Sequence, residues 1–416
     1  MFSHIGGAAY KADLNNIIAL SETLDNPHKK FKTIHIAGTN GKGSTSHMLA
    51  AIFQSSGYKT GLYTSPHLKD FRERIRINGE MIPENIVCDF VEKIKPEIEK
   101  IQPSFFEITV AMAFEYFAKE KIEIAIIETG LGGRLDSTNI ITPEISVITN
   151  IGWDHMNILG NSLEQIATEK AGIIKQGIPV VIGEGNENTR PVFIEKARQE
   201  NAPITFASEI FHAIEWKYQH HQLVVEVAKN GTDEKHFYQL DLPGVYQAKN
   251  LVTVLASVEQ MQKKGWKIPD EKIKSALKNV KKQTGFHGRW ELVHQHPNVV
   301  IDVAHNSDGI AQILRQLELI EPRHLHIVIG VVKDKDVDSV LKLLPKYAKY
   351  YFTNAHIPRA LDASALQDKA SQFGLKGSVF SDVNAATRAA MDNAEETDLV
   401  LVCGSVFVVG ELNLSW

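Results

Sequence analysis

At 416 residues the chain has room for about two or three domains, and burying a sizeable core is no obstacle. Its 43% hydrophobic and 23% charged residues are ordinary for a globular protein, and a net charge of −5 gives no general attraction to nucleic acid or acidic membranes. Two distant cysteines, Cys88 and Cys403, argue against a disulfide framework, and the longest uncharged run, Leu399–Gly410, is about half a bilayer span. No basic, then apolar, then small-residue leader opens the sequence, so a cytoplasmic protein is expected.

The first strong signal is FKTIHIA (31–37), a short apolar run rich in β-formers. GTNGKGST follows, and then a helical pattern to Phe53. Glycines let such a loop turn with its N–H groups inward, and the opening helix adds its positive end. The loop reads as a triphosphate cradle made of Thr39, Asn40, Gly41, Lys42, Gly43, Ser44 and Thr45. Lys42 is expected to reach the outer phosphates, and Ser44 or Thr45 to offer a hydroxyl to a bound cation. The cradle departs from the common G-x-x-x-x-G-K-[ST] string twice: Ile36 replaces the first glycine, and Gly43 separates Lys42 from Ser44.

YKTGLY (58–63) reads as a second strand, and a polar loop spans Thr64 to Glu80. Helical segments are expected near 84–101 and 105–120, then the continuous apolar strand IEIAIIETG (122–130). EISVITN (144–150) and IPVVIG (178–183) are similar strands, separated by a helical stretch at 162–176. Such strands alternating with helices imply a parallel sheet covered on both faces. Residues 206–240 alternate differently and suggest an antiparallel addition, before helices return near 245–264 and 269–281. The polar stretch KKQTGFHGRW (281–290) marks a boundary. Beyond it NVVIDV, HLHIVIG, YYFTNA, SVF and DLVLVCG predict a second, smaller α/β domain.

Several residues stand where chemistry is expected. Glu128 ends its strand, where open parallel sheets bind ligands, and reads either as a Mg²⁺ ligand or as a solvated acid. Asp154-His155 follows another strand. His155 has a ring nitrogen for a divalent ion, and Asp154 is placed to orient it or to meet substrate. Lys170 falls on the apolar stripe Leu163, Ile166, Ala167, Ile173, Ile174. Two readings stay open for it: an amine snorkelling past the helix edge, or a buried neutral amine able to react with CO₂. Asn250, Arg289, Asp302 and His305 each have a plain alternative as a cap, a junction salt bridge or a solvated face.

Taken in order, the strings HIAGTNGKGST, YTSPHLKDFRERIRING, IETGLGGRLDSTN, IGWDH, LGNSLEQIATEKAGIIK, YQAKNLVTVLASVE, GRW, DVAHNSDG, KDKD, PRAL and VCGSVFVVGE resemble the folylpolyglutamate synthase and dihydrofolate synthase family of the Mur-ligase superfamily. The resemblance implies an α/β fold. A P-loop Mur-ligase-type central domain with a parallel sheet (1–284) would precede a smaller Rossmann-like glutamate-ligase domain (285–416). It implies ATP-dependent addition of L-glutamate to a folate or dihydropteroate through an acyl phosphate, with two Mg²⁺ ions, and it leaves a requirement for K⁺ open. Ser65, Glu128 and His155 match the metal ligands, and Lys170 a lysine carbamylated in relatives. Asn250, Arg289 and Asp302 match nucleotide contacts, His305 a catalytic contact near ATP and glutamate, and Ser405 a glutamate contact. Phe106, Asp154 and the Arg72–Arg76 loop, with Arg74 at its centre, would line the pterin site. Only small-molecule partners are implied, with no nucleic acid and no membrane, and a monomer is expected. A cell-wall nucleotide-peptide ligase and a P-loop kinase are the competing readings.

Overall fold

The structure is a computed structural model that describes residues 13–219 and 222–413. The chain divides into two compact units. The larger runs to Asp241 and from Tyr246 to Phe286; the smaller holds Leu242–Val245 and the chain from His287 onward.

The larger unit is built on an eight-stranded sheet. Its strands are β1 (Lys32–Ala37), β2 (Thr60–Tyr63), β3 (Ile75–Ile77), β4 (Glu80–Met81), β5 (Ile124–Glu128), β6 (Ile145–Ile148), β7 (Val180–Ile182) and β8 (Ile204–Phe206), in the order β4-β3-β2-β5-β1-β6-β7-β8. From β2 to β8 neighbouring strands are parallel, and β5 and β6 are buried along their whole length. A strand covered on both faces has no polar side to show, which is why these runs read as unbroken apolar sequence. Two expectations change here. The polar loop 64–80 contains β3 and β4, which pair antiparallel and close the sheet edge. Their alternation is too short to stand out beside the five charged side chains from Asp70 to Arg76. The run ITF at 204–206 joins the parallel sheet as β8, and the antiparallel addition starts only after it.

That addition is a three-stranded sheet of β9 (Phe211–Gln219), β10 (Gln222–Lys229) and β11 (Lys235–Leu240), with β10 in the middle. In the smaller unit six strands run β12-β13-β17-β14-β15-β16: β12 (Glu291–His294), β13 (Asn298–Ile301), β14 (Leu325–Ile329), β15 (Lys349–Phe352), β16 (Gly377–Val379) and β17 (Leu399–Cys403). All neighbours are parallel except the antiparallel edge strand β12, which the sequence reading did not foresee. No helix among the described residues is long and apolar enough to cross a membrane.

The helix Lys42–Ser55 is buried along most of its length. It packs on β5 and beneath the helices Gln247–Lys263 and Asp270–Leu277, so a one-sided amphipathic pattern is neither needed nor present. Met48, Leu49, Ile52 and Phe53 are fully buried. Each such side chain contributes about 2 kcal/mol by burial, which fixes the helix, and the loop before it, against the sheet.

Candidate active site

In the larger unit the site residues gather at the carboxyl ends of the central strands. Register pairs Ile36 with Glu128 and Ala37 with Ile148, so the loops after β1, β5 and β6 leave the sheet side by side. Strand order reverses around β1, which is where open α/β sheets bind ligands.

The loop after β1 is strapped to the loop after β6. Thr39 donates its backbone N–H to the Asn150 carbonyl, and Thr39 Oγ1 both accepts from Gly152 N (3.0 Å) and donates to Gly152 O (3.2 Å). Asn40 N donates to Asn150 Oδ1 (2.8 Å), and Thr149 Oγ1 to Asn40 O (2.6 Å). Gly41 enters the helix at φ +82°, and a Cβ there would stand 2.4 Å from Asn250 Oδ1. Only glycine fits, both for its backbone and for the space. Asn250 Nδ2 in turn donates to Gln247 Oε1 (2.8 Å), and Gln247 Nε2 to Ser44 Oγ (3.1 Å). Asn250 is therefore a buttress of the loop from the helix Gln247–Lys263. With Ser44 Oγ engaged, the Thr45 hydroxyl, like that of Ser46 after it, is a buried polar group at the helix head without a hydrogen-bond partner. It fits a phosphate oxygen or a cation.

Lys42 opens the helix and folds back over its loop, donating Nζ to the carbonyls of Gly38 (3.1 Å) and Thr39 (3.4 Å). Lys170, only 4% exposed, donates Nζ to the same Gly38 carbonyl at 2.8 Å. That burial excludes the snorkelling reading. Two lysine amines thus converge on one oxygen beneath the phosphate loop.

Glu128 is buried at the end of β5, and Ser65, just beyond β2, donates its backbone N–H to Glu128 Oε2 at 3.4 Å. His155 follows β6 at φ +50°, a backbone held by its own N–H donating to Asp154 Oδ1 (2.9 Å). Its Nε2 lies 3.9 Å from Asp154 Oδ2. Among the described residues no three His, Cys, Asp or Glu side chains converge as a complete cage. The carboxylate of Glu128, the hydroxyl of Ser65 and the imidazole of His155 are donor types that suit Mg²⁺ or Mn²⁺. Replacing Glu128 with glutamine keeps the shape but removes the charge. Activity should fall by about 100-fold or more, with poor rescue by excess Mg²⁺, while His155→Ala should be milder and partly rescued by Mn²⁺. Normal metal dependence in Glu128→Gln would remove it from the metal site.

Phe106 lies on Gly130, where a Cβ would come within 2.5 Å of the ring, and 6.1 Å from the Tyr63 ring centre. The sequence reading missed what holds this loop. Asp136, 3% exposed, accepts from Gly130 N and Leu131 N (both 2.8 Å) through Oδ2 and from Thr138 N (2.9 Å) through Oδ1. Burial pushes its carboxyl above the ordinary range, and these donors pull it back. Thr138 Oγ1 also meets His35 Nε2 at 2.8 Å, and burial holds that imidazole down at about 3. The D-S-T run, an Asx turn by composition, was the available signal.

The three arginines of the 72–76 loop separate. Arg72 pairs with Asp70 and Glu84 at the surface, and Arg76 donates to the Gly79 carbonyl. Arg74 and Arg76 are both buried, and Arg74 turns toward Tyr63, His67 and Phe105.

In the smaller unit, Asp302, His305 and Ser405 also stand at carboxyl ends of parallel strands. Gly404 N donates to the Ala304 carbonyl (3.1 Å), which brings the loops after β13 and β17 together. Asp302 accepts from Trp290 N and Ala304 N, both at 2.8 Å, and so fixes Arg289, whose Nη1 rests on the Gly288 carbonyl (3.1 Å). His305 Nδ1 lies 3.0 Å from the Val303 carbonyl. A carbonyl only accepts, so Nδ1 carries a proton. Ser405 caps the helix Val406–Glu411 by accepting from Phe407 N (3.2 Å). The KDKD and PRAL strings meet through Lys333 N and the Arg359 carbonyl (2.9 Å) and an Arg359–Asp334 ion pair (2.8 Å).

A phosphate cradle beside a strand-end carboxylate, followed by a second parallel α/β unit, defines a nucleotide-dependent ligase of the Mur type. Residues 36–258 match the Mur ligase middle domain and residues 288–406 the Mur ligase glutamate ligase domain. The dihydrofolate synthase/folylpolyglutamate synthase of Bacillus subtilis is 35% identical over 97% of this chain and 94% of its own. E. coli FolC in complex with DHPP and ADP superposes with a TM-score of 0.85 at 29% identity, over 98% of this chain and 93% of that one. The bifunctional folylpolyglutamate synthase/dihydrofolate synthase of Yersinia pestis, complexed with AMPPNP and Mn ion, gives a TM-score of 0.84 at 29% identity, over 98% and 94%. This chain belongs to the folylpolyglutamate synthase/dihydrofolate synthase family.

Proposed function

We propose that the chain is an ATP-dependent ligase that joins L-glutamate to the carboxylate of a folate, and also of dihydropteroate. The observation that carries this reading is the phosphate cradle on β1 standing beside buried Glu128 on β5, at the carboxyl end of one sheet. Family membership supports it, and the nucleotide, DHPP and Mn ligands of the E. coli and Y. pestis relatives agree with it. Residues to 284 would carry ATP and the folate, and residues 285–416 the glutamate-ligase function, in a monomer.

In this reading an oxygen of the folate carboxylate attacks the γ-phosphorus of ATP, and the bond from that phosphorus to the β,γ-bridging oxygen breaks. ADP leaves. The glutamate nitrogen then attacks the acyl carbon, the carbon–oxygen bond to phosphate breaks, and an amide remains. Both partners of the first step are anions, so opposing charge is the main requirement. Lys42 would exchange its carbonyl contacts for phosphate oxygens. Ser65, Glu128 and His155 would hold two Mg²⁺ ions, which when bound neutralise phosphate charge. Lys170, as a carbamate, would add negative charge beneath them. Asn250, Arg289 and Asp302 would hold or position the nucleotide, and Ser405 would meet glutamate. His305 Nε2 would accept the proton that the glutamate nitrogen loses. Phe106, Asp154 and Arg74 would line the folate pocket.

The test is a coupled ADP assay with purified protein, ATP and Mg²⁺. ADP should accumulate only when a folate-type acceptor and L-glutamate are both present. Release that ignores glutamate would overturn the ligase reading. Comparing initial rates on tetrahydrofolate and dihydropteroate then decides whether both acceptors are used.

A further inference from the structure

Arg74 is an unusual cation. It is 9% exposed, yet among the described residues no carboxylate lies within ion-pairing distance of it. Its one well-formed hydrogen bond runs from Nε to His67 Nδ1 at 2.8 Å. The guanidinium carbon stands 5.4 Å from the centre of the Phe105 ring. The guanidinium also faces the hydroxyl of Tyr63, which is buried at the end of β2 and has no other partner. Buried polar groups in native proteins are nearly always satisfied, and a buried charge is normally paired. A buried guanidinium held by an imidazole and a phenol, with no carboxylate at ion-pairing distance among the described residues, is therefore suited to an anionic ligand.

The place says which anion. The Arg74 carbonyl accepts from Thr64 N (3.1 Å), and the next residue, Ser65, reaches Glu128 (3.4 Å). Arg74 thus stands one residue from the phosphate-side cluster, on the side lined by Tyr63, Phe105 and Phe106. A carboxylate attached to an aromatic body matches that combination, since a guanidinium presents a planar fork to two carboxylate oxygens.

His67 decides how the fork is held. Arg74 Nε can only donate, so Nδ1 of His67 must carry a lone pair and its proton sits on Nε2. With Nε fixed, the Nη groups are left to the Tyr63 hydroxyl and the ligand. We propose that His67 is a positioning residue, which by accepting the Arg74 Nε–H holds the buried guanidinium ready for a carboxylate of the folate-type substrate. The proposal rests on the ligase reading above, and it adds to that reading the residue that sets affinity for the acceptor.

The test uses His67→Leu, which has no acceptor, and His67→Asn, whose side-chain oxygen takes the place of Nδ1. Full-length variants are compared by thermal unfolding, by KM for acceptor and for ATP, and by direct binding of two ligands. These are pteroate and its uncharged analogue with a carboxamide in place of the carboxylate. Losing a hydrogen bond to a charged group corresponds to about a 10-fold to 100-fold effect. His67→Leu should raise the acceptor KM and weaken pteroate binding by that factor, leaving ATP KM and carboxamide binding unchanged. His67→Asn should recover most of the loss. Equal impairment in both variants, or equal weakening of the two ligands, would overturn the proposal. If wild type ligates and His67→Leu binds pteroate normally, only this inference fails; if wild type does not ligate, the ligase reading fails first.

Discussion

Replacing Lys42 with alanine should leave a folded protein that no longer ligates. In the structure Lys42 Nζ bonds only the loop carbonyls of Gly38 and Thr39, at 3.1 and 3.4 Å, from a partly exposed position. Those contacts contribute little to folding, so the melting temperature should change by no more than a few degrees, in line with a loss of about 1 kcal/mol. The catalytic loss is of another order. A unit charge about 4 Å from a phosphate oxygen, at an effective dielectric near 20, is worth about 4 kcal/mol, or roughly a thousandfold in rate. Charge accumulates on the leaving β,γ-bridging oxygen as its bond to the γ-phosphorus lengthens, so the loss should fall on kcat more than on the KM for acceptor. Steady-state ADP release, with thermal unfolding as control, measures both. Near wild-type turnover in a well-folded variant would take the phosphate loop out of the mechanism.

The sequence carried the site better than it carried the supports of the site. Lys42, Glu128 and His155 were legible because each ends or follows a continuous apolar strand, and the parallel sheet sends all carboxyl ends to one side. The pattern of apolar runs also placed β1, β2, β5, β6 and β7, and β13 to β17. What it hid was short or mutual. β3 has three residues and β4 two, and β12 pairs through a bulge near Leu292, so none shows a period long enough to read. Asp136 looked like any polar loop residue, because its role lies in accepting three backbone N–H groups from a fold not yet formed. The same holds for the pairing of His67 with Arg74. Of three arginines in one loop, local sequence gives no reason to single out Arg74; only the packing of Tyr63 and Phe105 turns it inward.

Lys170 gives the second large effect. Its helix, Leu163–Ala171, buries Ile166, Ala167 and Ala171, and the lysine shares that inward face at 4% exposure. Its Nζ and that of Lys42 bond the same Gly38 carbonyl at 2.8 and 3.1 Å, so the two nitrogens are at most about 6 Å apart. Two bare ammoniums at that separation repel by about 3 kcal/mol at an effective dielectric near 20. Reaction of the neutral amine with CO₂ forms an N–C bond and releases one proton, converting the side chain to an anionic carbamate. The nitrogen keeps one hydrogen, so the bond to Gly38 survives, and repulsion of Lys42 becomes attraction of about the same size. Lys170→Ala should therefore lose about 100-fold or more in activity, as expected for an anion that supports a metal site, and millimolar formate or acetate should restore part of it. Purging CO₂ should inactivate the wild-type enzyme slowly, with recovery on adding bicarbonate, and ¹³CO₂ should label one lysine. A fully active preparation whose Lys170 carries no label would show that the amine works unmodified. The ammonium would then add its charge to that of Lys42 beneath the phosphate loop, and Lys170→Met, which removes charge but keeps length, should in that case bind ATP more weakly in the absence of CO₂.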